Sequence, residues 1–281
     1  MALIPPNFFN CAAAIGVRNA NGYIKWVGTG TLFGRFFGQL SLTEKQYHLF
    51  IVTNKHVLAN QSSVVVRFNP TDNQLAKDYD IPLIRENGQK RWREHPKMDL
   101  AAIGINAEIL DSDGVRYDYF RNDKDLMTLE EMEQSGISEG DFIYVLGFPM
   151  GIVDMERQYV IARSGIIARL RDTLEKKSLD FLIDASIFPG NSGGPVINKP
   201  EIISIQGTQA VTKTALIGVV SDYLSYKDTA VSQQTGNTRI IFEENSGLAV
   251  VIPSDYVLEV IEDCFASQSI KENAKPEPVF Q

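Results

Sequence analysis

Residues 188–196 read FPGNSGGPV, and the use made of this stretch decides the fold. Gly190 precedes Ser192 by two positions, and Gly193 and Gly194 follow it. Without a Cβ, such residues permit a tight turn closed to other side chains and let a second backbone approach the serine. In that turn the amides of Gly190 and Ser192 can converge on one developing negative charge, with Asn191 between them. Ordinary loops also concentrate Gly and Ser, so the fragment acquires chemical meaning only through partners. A hydroxyl attacks at neutral pH when a histidine takes its proton and a carboxylate orients that histidine.

Chain order sorts the ways of supplying those partners. The fragment fits GxSxG, the strand–turn–helix elbow of α/β hydrolases, but there the histidine follows the serine. Here His48, His56 and His95 all precede Ser192, which excludes that order. An Asp-His-Ser order is closed to His48 and His56, because no aspartate occurs before Asp72. What remains is His, then Asp, then Ser. His56 follows the apolar run Tyr47 to Thr53, where a strand ends and its ring can emerge; His48 lies within the run, and His95 precedes Pro96 in a charged loop. Asp99 opens the run DLAAIGI, and a carboxylate at the mouth of a buried strand is costly unless an imidazole N–H or similar donor meets it. Asp111 and Asp113 fall in a polar segment and are expected to be solvated.

Outward from these residues, short apolar runs separated by turn signals predict an all-β chain: Ala12 to Val17, Tyr47 to Thr53, Val64 to Phe68, Leu100 to Ile105, Phe142 to Gly147, Phe181 to Ile183 and Leu216 to Val220. Two helices are expected, Leu129 to Gln134 capped by Thr128 and Asp255 to Phe265 capped by Ser254. The acidic, polar stretch near 111–139 divides the strands into similar halves. The organisation read from this is an N-terminal lobe over 1–115 with His56 and Asp99, a connector over 116–139, a C-terminal lobe and helix over 140–265 with Ser192, and a tail or linker over 266–281.

TNKHVL, DLAAIGI and GNSGGPV resemble the three catalytic blocks of trypsin-like serine peptidases, most closely the HtrA (Deg) type. VGTGTLFG at 27–34, EGDFIYVLGFPMG at 139–151 and GLAVVIPSDYVLEVI at 247–261 are similar to further parts of that type, so the resemblance spans roughly residues 11–265. It implies two six-stranded antiparallel β-barrels with a C-terminal helix and a cleft between the barrels. It also implies that His56 is general base and acid, Asp99 orients it, Ser192 attacks, and the Gly190 and Ser192 amides form the oxyanion hole. The primary pocket would have Ser186, six residues before the nucleophile, at its base and Gly218, Val219, Val220 and Ser221 on its wall. No acid stands among them, so cleavage after small or aliphatic residues is expected rather than after Arg or Lys; Asp184 lies nearby. Three departures stand out: no PDZ module follows the helix, no zymogen-type activation site is present, and Asn69 to Gly88 reads as an insertion. Control would then fall to loop ordering, oligomerisation or a regulatory protein partner, and Phe8 and Phe9 would either pack a trimer or cover a barrel end.

Among 281 residues, 44% are hydrophobic, enough for a sizeable core. A net charge of −8 disfavours nucleic acid or an anionic membrane as partner, and the local cluster Arg85, Lys90, Arg91, Arg93 and Lys97 reads as a solvated face. No cofactor or metal is expected: the histidines show no HExxH, and Gly28 and Gly30 lack the rest of a phosphate loop and read as hairpin glycines. A polypeptide substrate is the partner, and a catalytically silent binding module on the same fold is the alternative. Only Cys11 and Cys264 occur, read as buried apolar residues. Together with an N-terminus unlike a secretory signal and no membrane-length apolar run, this suggests a cytoplasmic chain.

Overall fold

The computed structural model describes residues 4–41, 44–72, 74–201 and 206–269. Each apolar run named above lies in a strand, except that Leu100 stands just before its own, and the strands assort into two sheets. The first contains β1 (Ala12–Arg18), β2 (Ile24–Gln39), β3 (Lys45–Thr53), β4 (Ser63–Pro70), β5 (Lys77–Pro82), β6 (Arg93–Glu94) and β7 (Ala101–Ile105), hydrogen-bonded in the order β5-β4-β1-β2-β3-β7-β6. Two short strands join it from the expected connector, β8 (Val115–Arg116) on β4 and β9 (Phe120–Arg121) parallel to β2. The second sheet is a closed six-stranded barrel of β10 (Phe142–Gly147), β11 (Ile161–Arg169), β12 (Phe181–Asp184), β13 (Pro195–Asn198), β14 (Leu216–Val231) and β15 (Thr238–Pro253). The all-β reading holds, with one refinement: of the two expected barrels, only the C-terminal sheet is a closed ring. The N-terminal sheet curls but ends at β5 and β6, and a two-residue strand offers too few backbone groups to close it.

The segment read as an insertion supplies β5, which covers the edge of β4 from Ser63 to Phe68. The connector is not a solvated link either. Phe120 is fully buried and packs on Phe8 with ring centroids 4.7 Å apart, so Phe8 fills a core and Phe9 leans on it. Asp111 and Asp113 are exposed to solvent as expected, and accept hydrogen bonds from the hydroxyls of Tyr117 (2.8 Å) and Tyr79 (2.6 Å). Leu129–Gln134 forms a helix with a capping box, Thr128 and Glu131 satisfying each other's free amides.

The second predicted helix runs over Ser254–Ser269, past its expected end at Phe265 and into the first residues of the expected tail; the remainder of 266–281 lies outside the described residues. Val257, Val260, Ile261 and Cys264, spaced three and four apart, place one face in a core shared with Phe33, Phe50 and Leu100 of the first lobe and Leu146, Ile197 and Val219 of the second. Burying each such side chain contributes roughly 1.5–3 kcal/mol, so this helix fastens the lobes together. Each lobe also keeps its own core, around Ile51, Phe68 and Ile103 in the first and Phe181, Val196 and Ile217 in the second. Among the described residues, no helix is long and apolar enough to cross a membrane, and no cluster of His, Cys, Asp and Glu could hold a metal ion.

Candidate active site

His56 stands at the end of β3, where Asn54 turns the chain into the single helical turn Lys55–Leu58. Val57 and Leu58 of that turn are buried, which leaves the imidazole facing out, half-exposed. Its Nδ1 lies 2.6 Å from Asp99 Oδ2, and its backbone N–H donates to Asp99 Oδ1 at 3.2 Å. Asp99 sits just before β7 in the hairpin turn between β6 and β7, and the Asn54 side-chain Nδ2 donates to its backbone carbonyl at 2.7 Å. The carboxylate therefore holds the base at two points.

The electrostatics follow from this contact. The hydrogen bond that the His56 ring donates to Asp99 raises the His56 pKa above its ordinary 6.5; burial opposes this, while the negative charges of Asp99 and Asp222 support it. Burial would raise Asp99, but the His56 ring and the amides of His56 and Lys55 outweigh it and hold the carboxyl below its usual range. With Nδ1–H donated to Asp99, Nε2 is the nitrogen left to accept a proton.

Ser192 lies in the turn between β12 and β13, and the first lobe grips that turn through backbone and hydroxyls. The Thr29 amide donates to Ser192 O at 2.9 Å, the Thr29 hydroxyl to Gly190 O at 2.7 Å and the Thr31 hydroxyl to Gly193 O at 2.7 Å. Thr29 Oγ1 also accepts from the Phe148 amide at 3.2 Å, and the Thr53 hydroxyl donates to Thr29 O at 2.8 Å. From the second lobe, Val220 exchanges hydrogen bonds with the amide of Gly193 and the carbonyl of Gly194, both at 2.9 Å. Gly193 has φ +85°, and a Cβ there would lie 2.1 Å from Thr29 O; Gly190 has φ +101° and would place one 2.3 Å from Phe148 O. Both positions admit only glycine. Among the described residues, the backbone amides of Gly190 and Ser192, on either side of Asn191, donate no backbone hydrogen bond.

Gly28 measures how near the halves of the site come. A Cβ on it would lie 2.9 Å from the Val57 methyls and 3.4 Å from Ser192 O, so the neighbour of His56 and the carbonyl of Ser192 flank one backbone position. Gly28 and Gly30 lie, as expected, in the β1–β2 hairpin, opposite Ile15 and Ala13, and the side chains of Val57, Ile51 and Ile15 leave no room there for a Cβ. Among the described residues no hydrogen bond joins Ser192 Oγ to His56; in ligand-free sites such bonds are often long and tighten with substrate.

The expected pocket residues are placed unevenly. Ser186 is exposed on the turn leading to Ser192, whereas Gly218, Val219 and Val220 are buried in β14, and Gly218 packs on Ile252 O of β15. Exposure on that strand begins past Ser221 at Asp222, whose carboxylate reaches His56 through space and which no sequence motif marks. His48 is a strand residue stacked 4.0 Å from Phe37. His95, in the charged loop before Pro96, is 3% exposed and hydrogen-bonded at 2.8 Å to Glu259. The buried threonines Thr29 and Thr31, which hold the Ser192 turn, are not singled out by the motifs; their signal is the alternation of VGTGT, where polar residues recur on one face of an otherwise apolar strand.

A family model of the trypsin-like peptidase domain matches residues 28–201. The "Probable periplasmic serine endoprotease DegP-like" of Hahella chejuensis is 25% identical over 71% of this chain and 38% of its own length, and "Serine protease HTR4" of Rattus norvegicus is 29% identical over 61% of this chain and 30% of its own. The chain thus spans about a third of the length of these curated relatives. Among solved structures, the MamO protease domain of Magnetospirillum magneticum aligns over 90% of this chain and 97% of its own with 13% identity and a TM-score of 0.47. The expected cytoplasmic location does not stand, because DegP-like relatives from Hahella chejuensis and two Chlamydia species are named periplasmic proteins. Cys11 and Cys264 are buried thiols in no disulfide, with pKa values raised chiefly by burial, so they do not distinguish the two compartments. With the matched domain covering well over half of the sequence and enclosing His56, Asp99 and Ser192, this chain belongs to the trypsin-like peptidase domain family.

Proposed function

We propose that the chain is a serine endopeptidase acting outside the cytoplasm, with His56, Asp99 and Ser192 as its catalytic triad. The observation that carries the reading is the 2.6 Å contact between His56 Nδ1 and Asp99, which commits one ring nitrogen to the acid and leaves the other for the Ser192 hydroxyl. His56 Nε2 takes the hydroxyl proton as Ser192 Oγ attacks the scissile carbonyl. The amides of Gly190 and Ser192 meet the oxyanion, and His56 then returns the proton to the leaving amine, giving an acyl-enzyme that water hydrolyses.

Ser186 brings no charge to the pocket base, which supports cleavage after small or aliphatic residues of a polypeptide. Labelling by a fluorophosphonate probe that disappears in Ser192→Ala tests the nucleophile, and profiling of digestion products tests the pocket. Absence of labelling in the folded protein under every condition would leave a protease-fold binding module, and a strong preference for Arg or Lys at the cut would overturn the pocket assignment.

A further inference from the structure

Asp99 lies in a six-residue turn, His95 to Leu100, closed by the His95 amide donating to Leu100 O at 2.8 Å and the Leu100 amide to Met98 O at 2.8 Å. Inside it, His95 Nδ1 accepts from the amides of Lys97 at 3.2 Å and Met98 at 3.0 Å. These are the amides two and three residues ahead, which an asparagine or aspartate oxygen satisfies in turns and helix caps. A histidine has a second ring nitrogen, and here it reaches out of the turn. Because Nδ1 accepts, the proton resides on Nε2, which donates to Glu259 Oε2 at 2.8 Å. The ring is 3% exposed and meets the Tyr256 ring edge to face at 5.2 Å. Glu259 and Tyr256 belong to the helix Ser254–Ser269, which continues directly from β15 of the closed barrel that also carries the Ser192 turn.

We infer that His95 is a positioning residue for Asp99: it props the acid's turn from within and ties it, through Glu259, to the helix leaving the serine-bearing lobe. This rests on the reading of Asp99 as the acid of the triad. The tie has a geometric purpose, since base and acid come from one lobe and nucleophile from the other. A misplacement of about 1 Å in such a constellation costs on the order of 100-fold in rate. The shared apolar core holds the lobes together, whereas the His95 tie acts on the one turn whose position sets the Asp99 carboxylate.

The test compares His95→Phe, which keeps a ring but removes both nitrogens, with His95→Asn, which restores only the acceptor for the two turn amides. Peptidase kinetics are read alongside the downfield proton resonance of the short His56–Asp99 hydrogen bond. His95→Phe should lower kcat about 30-fold or more with KM within about twofold and weaken the resonance, while His95→Asn should recover kcat to within about fivefold of wild type. Glu259→Ala, changed on the exposed side of the contact, should lower kcat by a smaller factor and serves should His95→Phe not fold. A folded His95→Phe with wild-type kcat and resonance overturns the inference, as does a His95→Asn as impaired as His95→Phe, or a Glu259→Ala without effect beside an impaired His95→Asn. Wild-type turnover by Ser192→Ala would instead remove the triad reading, leaving the resonance to judge the tie.

Discussion

The two lobes position their shares of the site by different means. The N-terminal lobe, an unclosed sheet, presents side chains: His56 and Asp99 meet through a 2.6 Å contact at the ends of adjacent strands β3 and β7. The C-terminal lobe, a closed barrel, presents backbone: Ser192 sits on a turn of glycines whose carbonyls and amides are fixed by Thr29, Thr31 and Val220. The difference teaches that acid and base can be assembled within one sheet by local turns, while the nucleophile depends on a neighbouring lobe pressing against its loop. Hydroxyls on β2 and the helix after β15 carry that dependence across the interface.

Substitutions can break this contrast in a graded order. Ser192→Ala removes the nucleophile while leaving every backbone bond of its turn, so peptidase activity should fall by about 10⁵-fold or more with an unchanged melting temperature. Asp99→Asn keeps the shape of the N-terminal pair but takes away the charge and frees the wrong tautomer, so kcat should fall by roughly 10³–10⁴-fold. It also removes the largest cause raising His56. Since the base must be neutral to act, the acid limb of kcat/KM should stand above the ordinary 6.5 in the wild type and move to lower pH in this variant.

Thr29→Val probes the grip between the lobes without altering volume. It leaves Gly190 O without its donor and the Phe148 amide without its acceptor, so stability in a denaturant titration should drop by about 1–3 kcal/mol. Activity should drop as well, by about tenfold through the displaced turn. A variant that loses stability with full activity would show that the nucleophile turn does not need the other lobe. The smallest effect is expected from Asp222→Asn. Removing a carboxylate that raises His56 should move the acid limb down by less than Asp99→Asn does, with kcat on the plateau lowered less than tenfold. A limb that rises, or stays fixed, would show that the Asp222 field does not reach the base.

Much of this arrangement is legible in the order of the residues. Glycines mark Ser192, and the succession His, Asp, Ser follows from where the three histidines fall. His56 and Asp99 are set apart by standing at the ends of apolar runs, and Thr128 and Ser254 mark helix starts that the fold retains. Other residues resist such reading because their partners are remote along the chain. His95 reads as part of a charged loop, but Glu259 lies 164 positions away. Phe120 looks like part of a polar link, though it completes a core with Phe8.

The amino-acid sequence by itself determined the class of fold and singled out the residues of the proposed triad, because alternating runs, turn glycines and residue order are local properties of a chain. Only the tertiary structure decided that one sheet closes and the other does not, that β2 threonines hold the Ser192 turn, and that the buried His95 bonds within the turn that carries Asp99. Those outcomes depend on hydrogen bonds between segments far apart along the backbone, whose meeting is settled by how whole sheets pack.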